Sequence, residues 1–180
     1  MRIIRENALC LIVDIQERLL PHIAEKAALL DQTSLLIKGL QVLGVPLLVT
    51  QQYTKGLGQT VPEIRALFPT FAAMEKRHFS CLDDPAIAAH LQASGKTSIL
   101  VAGIEAHVCI MQTVLDLKAA GYQPVIVADC VSSRSLANKD LALRRLEADG
   151  AILTSTESLL FELLRNSASP EFKDISRLVK

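Results

Sequence analysis

Where the apolar run ending at Gly103 gives way to helical spacing, the chain places a cysteine. Cys109 lies six residues past that glycine, in Val101-Ala-Gly-Ile-Glu-Ala-His-Val-Cys-Ile110. A thiol in the first turn of a helix faces unpaired N–H groups and the positive end of the helix dipole, and both favour the nucleophilic thiolate. The competing reading is an inert structural cysteine, since free cysteine is often buried. Asp14 is the second residue with chemical potential. It stands directly behind the apolar run Ala8–Val13, and a carboxylate there must be solvated, paired or strained, because burying it alone is costly. Its competing role is an N-cap for the segment that opens at Gln16. Lys76, in the run Glu75-Lys76-Arg77, reads by itself as a solvated surface side chain.

The elements that must position these residues follow from the hydrophobic pattern. Ala8–Ile15 and Thr97–Ile104 are short, continuous apolar runs, as expected of strands covered on both faces. Pro46–Thr50, Pro124–Ala128 and Ala151–Thr154 read as further strands. Helical spacing covers Ala27–Leu43 (closed by Gly44), Asp83–Ser94 with Pro85 in its first turn, and the stretch from Cys109 to Gly121. It resumes near Asn138–Ala148 and at Ser158–Leu164, and Ser169-Pro170 begins a last short helix. Gln51–Pro69 reads as a long irregular loop of the kind that often carries function. Strand and helix alternate from end to end. The pattern predicts a three-layer α/β/α fold, a doubly wound and mostly parallel sheet in one domain spanning residues 1–180. In such sheets ligands bind beyond the carboxyl ends of the strands. That directs attention to Asp14 and Gln16, to Thr50, Gln51, Gln52 and Tyr53, to Glu105, His107 and Cys109, and to Asp129 and Cys130.

Composition narrows the function. In 180 residues, 19 basic side chains balance 19 acidic ones and half of the residues are hydrophobic. That gives no basic footprint for nucleic acid and no acidic tail. Four scattered cysteines without a C-x-x-C pair suit reduced thiols in a cytoplasmic protein better than a disulfide scaffold. The opening stretch reads as a first core strand, being too short to span a membrane and lacking a small-residue cleavage site. Lys55-Gly-Leu-Gly58 lacks the third glycine of a dinucleotide fingerprint, and there is neither a P-loop nor a G-x-S-x-G elbow. With no Trp, two Tyr and five Phe, no platform for stacking single-stranded nucleic acid is evident.

Three segments carry a resemblance: LIVDIQ at 11–16, Glu75-Lys76-Arg77-His78-Phe79-Ser80, and GIEAHVC at 103–109. Their order and spacing resemble the signature segments of the isochorismatase-like cysteine hydrolases, and VTQQYTKGLGQTVPE at 49–63 and DCVSSRS at 129–135 are similar to the subgroup of isochorismatase-domain-containing proteins. The resemblance implies a triad: Asp14 as base, Lys76 between carboxylate and thiol, and Cys109 as nucleophile. A neighbouring base and cation would raise the reactive fraction of a thiol that is otherwise little ionised. It also implies a cis peptide at Ile104–Glu105 and an oxyanion hole built from the N–H groups of Glu105 and Cys109.

Departures from the family pattern narrow it further. The Asp-x-His element of metal-containing nicotinamidases is replaced here by Thr50-Gln51-Gln52-Tyr53, and the four histidines have no metal-ligand spacing. No metal and no cofactor are therefore expected. Ala106 stands where a threonine is common. Gln16, Gln51, Gln52, Tyr53 and Glu105 are expected to give a polar, uncharged-to-acidic pocket mouth, with Ala106 at the pocket floor and His107 at its wall, and with His22, His78 and His90 left to surface or packing. The resulting expectation is a cytoplasmic cysteine hydrolase acting on a small amide or related C–N bond through a thioester. It would be a homo-oligomer, dimeric or of higher even number, with a small-molecule substrate and neither nucleic-acid nor membrane partners. The alternatives are vinyl-ether hydrolysis of the isochorismatase kind and a non-catalytic pocket protein that acts through partners.

Overall fold

The structure is a computed structural model that describes residues 2–180. Its centre is a six-stranded sheet made of β1 (Ala8–Val13), β2 (Leu47–Gln52), β3 (Met74–Lys76), β4 (Ser98–Ile104), β5 (Gln123–Ser132) and β6 (Ile152–Thr154). All pairings are parallel and the spatial order is β3-β2-β1-β4-β5-β6. Every residue of β1 and β4 is buried, which is why their sequences are unbroken apolar runs rather than alternating ones.

The period of two along β1 divides its side chains between two cores. Ala8, Cys10 and Ile12 pack with Leu36, Ile37 and Leu40 of α1 (Lys26–Val42), with Leu159, Leu160 and Leu163, and with Ile175. Leu9, Leu11 and Val13 face the opposite layer, among Ile87 and Leu91, Val114 and Leu117, and Leu146. Between β2 and β4 lie the short helices α2 (Thr54–Leu57) and α3 (Pro62–Arg65), followed by α4 (Pro85–Ser94). The remaining helices are α5 (Met111–Ala119), α6 (Leu136–Ala148), α7 (Thr156–Leu164) and α8 (Phe172–Leu178). Local signals account for several boundaries. Asp84 caps α4 by accepting from the Ala86 N–H at 3.1 Å, Pro85 opens the helix, and Gly95 closes it at φ +65°.

Four expectations needed correction. β3 was hidden in the charged run because it has only three residues and sits at the sheet edge. Gln51–Pro69 is less irregular than it reads, since β2 continues through Gln52 and α2 and α3 fill the loop. β5 runs on past Ala128 to Ser132, with a bulge in its register against β4. At that bulge both Asp129 carboxylate oxygens accept from the Thr156 N–H at 3.0 Å, so a strand-end signal is instead a helix cap. Finally, α8 begins two residues after Pro170, which lies in the preceding turn.

Candidate active site

Strand order reverses between β1 and β4, and the residues that follow these two strands meet there. β1 and β4 run side by side with Val13 opposite Gly103. A Cβ on Gly103 would lie 2.1 Å from the Val13 carbonyl oxygen, and the residue sits at φ +127°. Only glycine lets the two backbones close to this distance. Asp14 then turns out of β1 in a left-handed conformation, φ +55°. Beyond Ile104, whose peptide bond to Glu105 is cis, the chain makes a wide π turn over Ala106–Ile110 before α5. Cys109 belongs to this turn and not to a regular α-helical first turn.

Lys76 completes the cluster from the other side. It pairs in register with Gln52 at the end of β3, with β2 between it and β1. Neighbouring strands are about 4.8 Å apart, so only a long side chain can reach from β3 to Asp14. The Lys76 ammonium lies 2.7 Å from Asp14 Oδ2, and both side chains are 0% exposed. Lys76 Nζ also donates to Gln52 Oε1 at 2.7 Å and to the carbonyls of His78 and Phe79 at 3.2 and 3.1 Å. Asp14 Oδ1 accepts from Thr50 Oγ1 at 2.9 Å. Burial pulls the Lys76 ammonium down, but Asp14 and the nearby thiols push it up, and the net is a pKa above its ordinary value. Lys76 is a fixed cation, and the reading of it as a solvated surface side chain is wrong.

Cys109 stands beside this pair with its thiol protonated. Burial first, then the charge of Asp14, push it up to about 12, with Lys76 pulling the other way. A hydrogen bond with Asp14 acts in the same upward direction. The turn therefore does not supply the resting thiolate expected of a helix terminus: low dielectric and a carboxylate outweigh it. Cys81 is a further thiol in this core, pushed up to about 11 chiefly by burial. Its N–H is held by Thr113 Oγ1 at 3.0 Å.

Cys109 lines a cavity of about 710 Å³. The walls are mainly apolar, from Leu19, Leu57, Phe79 and Val108, with Gln52, His22, Glu105 and Arg134 as polar members. Of the seven residues expected at the pocket, Gln52 and Glu105 line it. Gln16 is wholly buried, and its amide is spent on the backbone of Gln52 and Gly58 at 2.7–2.9 Å. Gln51 turns inward to Thr60 and Gln59 at 3.0 and 3.2 Å. The Tyr53 ring lies 4.0 Å beneath the Arg77 guanidinium. Ala106 is buried in the π turn, and His107 Nδ1 is 3.0 Å from Ser133 Oγ. His22, expected on the surface or in packing, is a lining residue. Arg134 adds a guanidinium to the rim, where it pairs with Glu105 and offsets the acidic charge. No local signal marked Leu19, Leu57 or Arg134, because they come from loops and a short helix whose convergence is tertiary.

Asp129 and Cys130, expected at a strand end, lie elsewhere. Cys130 Sγ is 3.1 Å from Thr156 Oγ1 behind α7. A groove of about 590 Å³ beside α4, reaching Leu82, Gln92 and Tyr122, is lined by none of the residues above. Among the described residues no three His, Cys, Asp or Glu side chains are grouped to hold a metal ion. No described helix is long and apolar enough to cross a membrane.

A doubly wound α/β domain with a buried Asp–Lys pair beneath a cavity-lining cysteine defines a class in which the fold gathers such a cluster at the reversal of strand order. Comparison makes the class specific. The isochorismatase domain matches residues 8–158, and the chain belongs to that family of isochorismatase-like hydrolases. Isochorismatase domain-containing protein 1 of Salmo salar is 39% identical over 93% of this chain, which spans only 59% of that protein's length. Isochorismatase domain-containing protein 2A of Mus musculus is 37% identical, covering 99% of this chain and 85% of its own. The solved structure of MAR1 ribonuclease from Caenorhabditis elegans superposes with a TM-score of 0.92 at 33% identity, over 99% of this chain and 92% of that one.

Proposed function

We propose that this protein hydrolyses a small amide or related C–N bond through a thioester on Cys109, with Asp14 and Lys76 as its partners. The observation that carries the reading is the buried Lys76–Asp14 pair beside the one thiol that opens on the apolar cavity. A buried ion pair is a poor source of stability, because desolvation cancels most of its attraction. Its presence next to a nucleophile is better explained by chemistry.

In this mechanism Asp14 takes the Cys109 proton as sulfur attacks the carbonyl carbon, so no free thiolate has to persist at neutral pH. Lys76 stays protonated and holds the carboxylate in place. The N–H groups of Glu105 and Cys109 receive the developing oxyanion. The C–N bond then breaks, Asp14 returns the proton to the departing amine, and the acyl group remains on sulfur. Water attacks the thioester while Asp14 accepts its proton; the C–S bond breaks, the acid departs, and Asp14 passes the proton to sulfur to restore the thiol. Cleavage of a vinyl ether would need no thiol nucleophile, so it leaves Cys109 unexplained. An RNA-cleaving reading, raised by the Caenorhabditis elegans relative, meets an overall charge of zero and a cavity whose one arginine is already paired with a carboxylate.

The test is mass spectrometry of the protein quenched during incubation with a panel of small amides. An acyl increment on the Cys109 peptide, absent in Cys109→Ala, is the expected result. Turnover of a vinyl ether or RNA that survives Cys109→Ala, with no adduct from any amide, would overturn the proposal. The positive mean hydropathy also fits a homo-oligomer, dimeric or of higher even number, and a concentration-independent monomer in sedimentation analysis would exclude it.

A further inference from the structure

The charges around the cavity cancel in pairs, and the outer pair belongs to no step of the chemistry above. Inside, Lys76 is matched by Asp14. At the rim, the Arg134 guanidinium is paired through Nε with Glu105 Oε1, and the Arg134 backbone N–H donates to Glu105 Oε2 at 3.2 Å. The two partners differ sharply in exposure: the Arg134 side chain is 64% exposed and that of Glu105 only 10%. His107 Nδ1 approaches the same carboxylate at 3.6 Å. Gln52 brings no charge, and its amide is engaged at both ends, by Lys76 Nζ and by the Arg77 carbonyl, each at 2.7 Å. The other walls are apolar except His22.

Resting on the amide-hydrolase reading, we propose that the Glu105–Arg134 pair determines specificity by restricting the cavity to neutral amides with an apolar acyl group and rejecting those that carry a carboxylate. Glu105 holds the guanidinium through Nε and offsets its charge, so an anion at the exposed Nη groups gains little net attraction unless Glu105 is displaced, and a nearly buried carboxylate then loses its guanidinium. If Glu105 stays in place, the anion meets a like charge and apolar walls that cannot solvate it. A cationic substrate finds Asp14 already occupied by Lys76 and Thr50. Selection here comes from a repulsive element as much as from attraction.

The direct probe is alkylation of Cys109 by iodoacetamide and by iodoacetate, two reagents of similar size and the same leaving group that differ in charge. Rates come from peptide mapping at one pH, each normalised to N-acetylcysteine. Wild type should prefer iodoacetamide at least about ten-fold more than the free thiol does, because no uncompensated cation meets the carboxylate and the apolar walls cannot solvate it. Glu105→Gln should collapse that preference by releasing Arg134, and Arg134→Gln should enlarge it by leaving Glu105 uncompensated. A purely structural pair would move both variants the same way. Butyramide against succinamate as substrates should follow the same order. Wild-type selectivity no greater than that of N-acetylcysteine, or variants that shift in one direction, would overturn the proposal. If Glu105→Gln fails to fold by circular dichroism, the sign of the Arg134→Gln shift decides. The alkylation ratio does not depend on turnover. A preserved ratio without any acyl adduct would therefore sink the hydrolase reading and leave the charge filter standing.

Discussion

At the scale of single residues, Asp14, Lys76 and Cys109 are unequal partners, and substitutions should reveal it. Removing one member of a buried ion pair costs about 3–5 kcal/mol, because the other charge is stranded. Lys76→Met leaves Asp14 with only neutral side-chain donors, the Thr50 hydroxyl and the Cys109 thiol. Asp14→Asn leaves the ammonium three further acceptors, at Gln52, His78 and Phe79. Urea titration should therefore show Lys76→Met to be the more destabilising of the two, and the reverse order would contradict this account of the pair. Cys109 should also behave as a protonated thiol. With burial and Asp14 pushing it up to about 12, its alkylation rate should keep climbing from pH 7 to 10 without a plateau near neutrality. Peptide mapping should nevertheless find it labelled ahead of Cys10, Cys81 and Cys130, since it alone of the four lines the cavity.

Elements matter here through the approach of backbones and the fastening of loops. Gly103→Ala places a methyl group 2.1 Å from the Val13 carbonyl oxygen at a φ that side chains rarely adopt. The main chain itself must move, so the loss should exceed about 4 kcal/mol, the range reserved for disrupted cores and strained backbone. Chemical denaturation measures it, and a loss below about 1 kcal/mol would mean that β1 and β4 slide apart easily. Gln16→Leu tests the fastening of β2. It deletes the bonds to Gln52 N–H, Gln52 C=O and Gly58 C=O, each group then losing its partner at a cost of about 1–3 kcal/mol where it stays buried. Because Gln52 also accepts from Lys76, acylation of Cys109 should slow in this variant although Gln16 does not line the cavity.

Taken whole, the molecule stores a pH dependence in its buried thiols. Burial raises all four: Cys81 to about 11, Cys109 and Cys130 to about 12, and Cys10 well above its ordinary value. Unfolded thiols ionise near pH 9, so above that pH the unfolded chain binds fewer protons than the folded one, and stability must fall. The stability present below pH 9 is lost as pH rises through the folded values of about 11 to 12. Each thiol contributes a slope of up to about 1.4 kcal/mol per pH unit. Lys76, raised above its ordinary value of 10.5, adds loss of the same sign from that pH upward. Urea midpoints should be level from pH 7 to 8.5 and drop steeply by pH 10, and a Cys130→Ala variant should drop less steeply. A flat profile to pH 10 would show that the thiols are not protonated in the folded core.

Local signals in the sequence were enough for the alternation of strand and helix, the buried strands β1 and β4, the Pro85 start of α4, and the segments around Asp14 and Cys109. Each of these is written in neighbouring residues, as unbroken apolar runs, as capping types or as motif spacing. Resemblance, not periodicity, singled out Lys76, because a lysine in a charged run has no local mark of burial. Only the tertiary structure decided which glutamines face substrate space. Gln16, Gln51 and Gln52 are alike in type and all stand at or just past a strand's carboxyl end, yet two fasten loops and one lines the cavity. Their orientation depends on partners 8 to 42 residues away. The same holds for the rim: Arg134 meets Glu105 across 29 residues, and Leu19 and Leu57 meet Cys109 only because the sheet order reverses between β1 and β4. A periodic pattern reports which face of an element is buried, but it carries no information about which elements' ends converge.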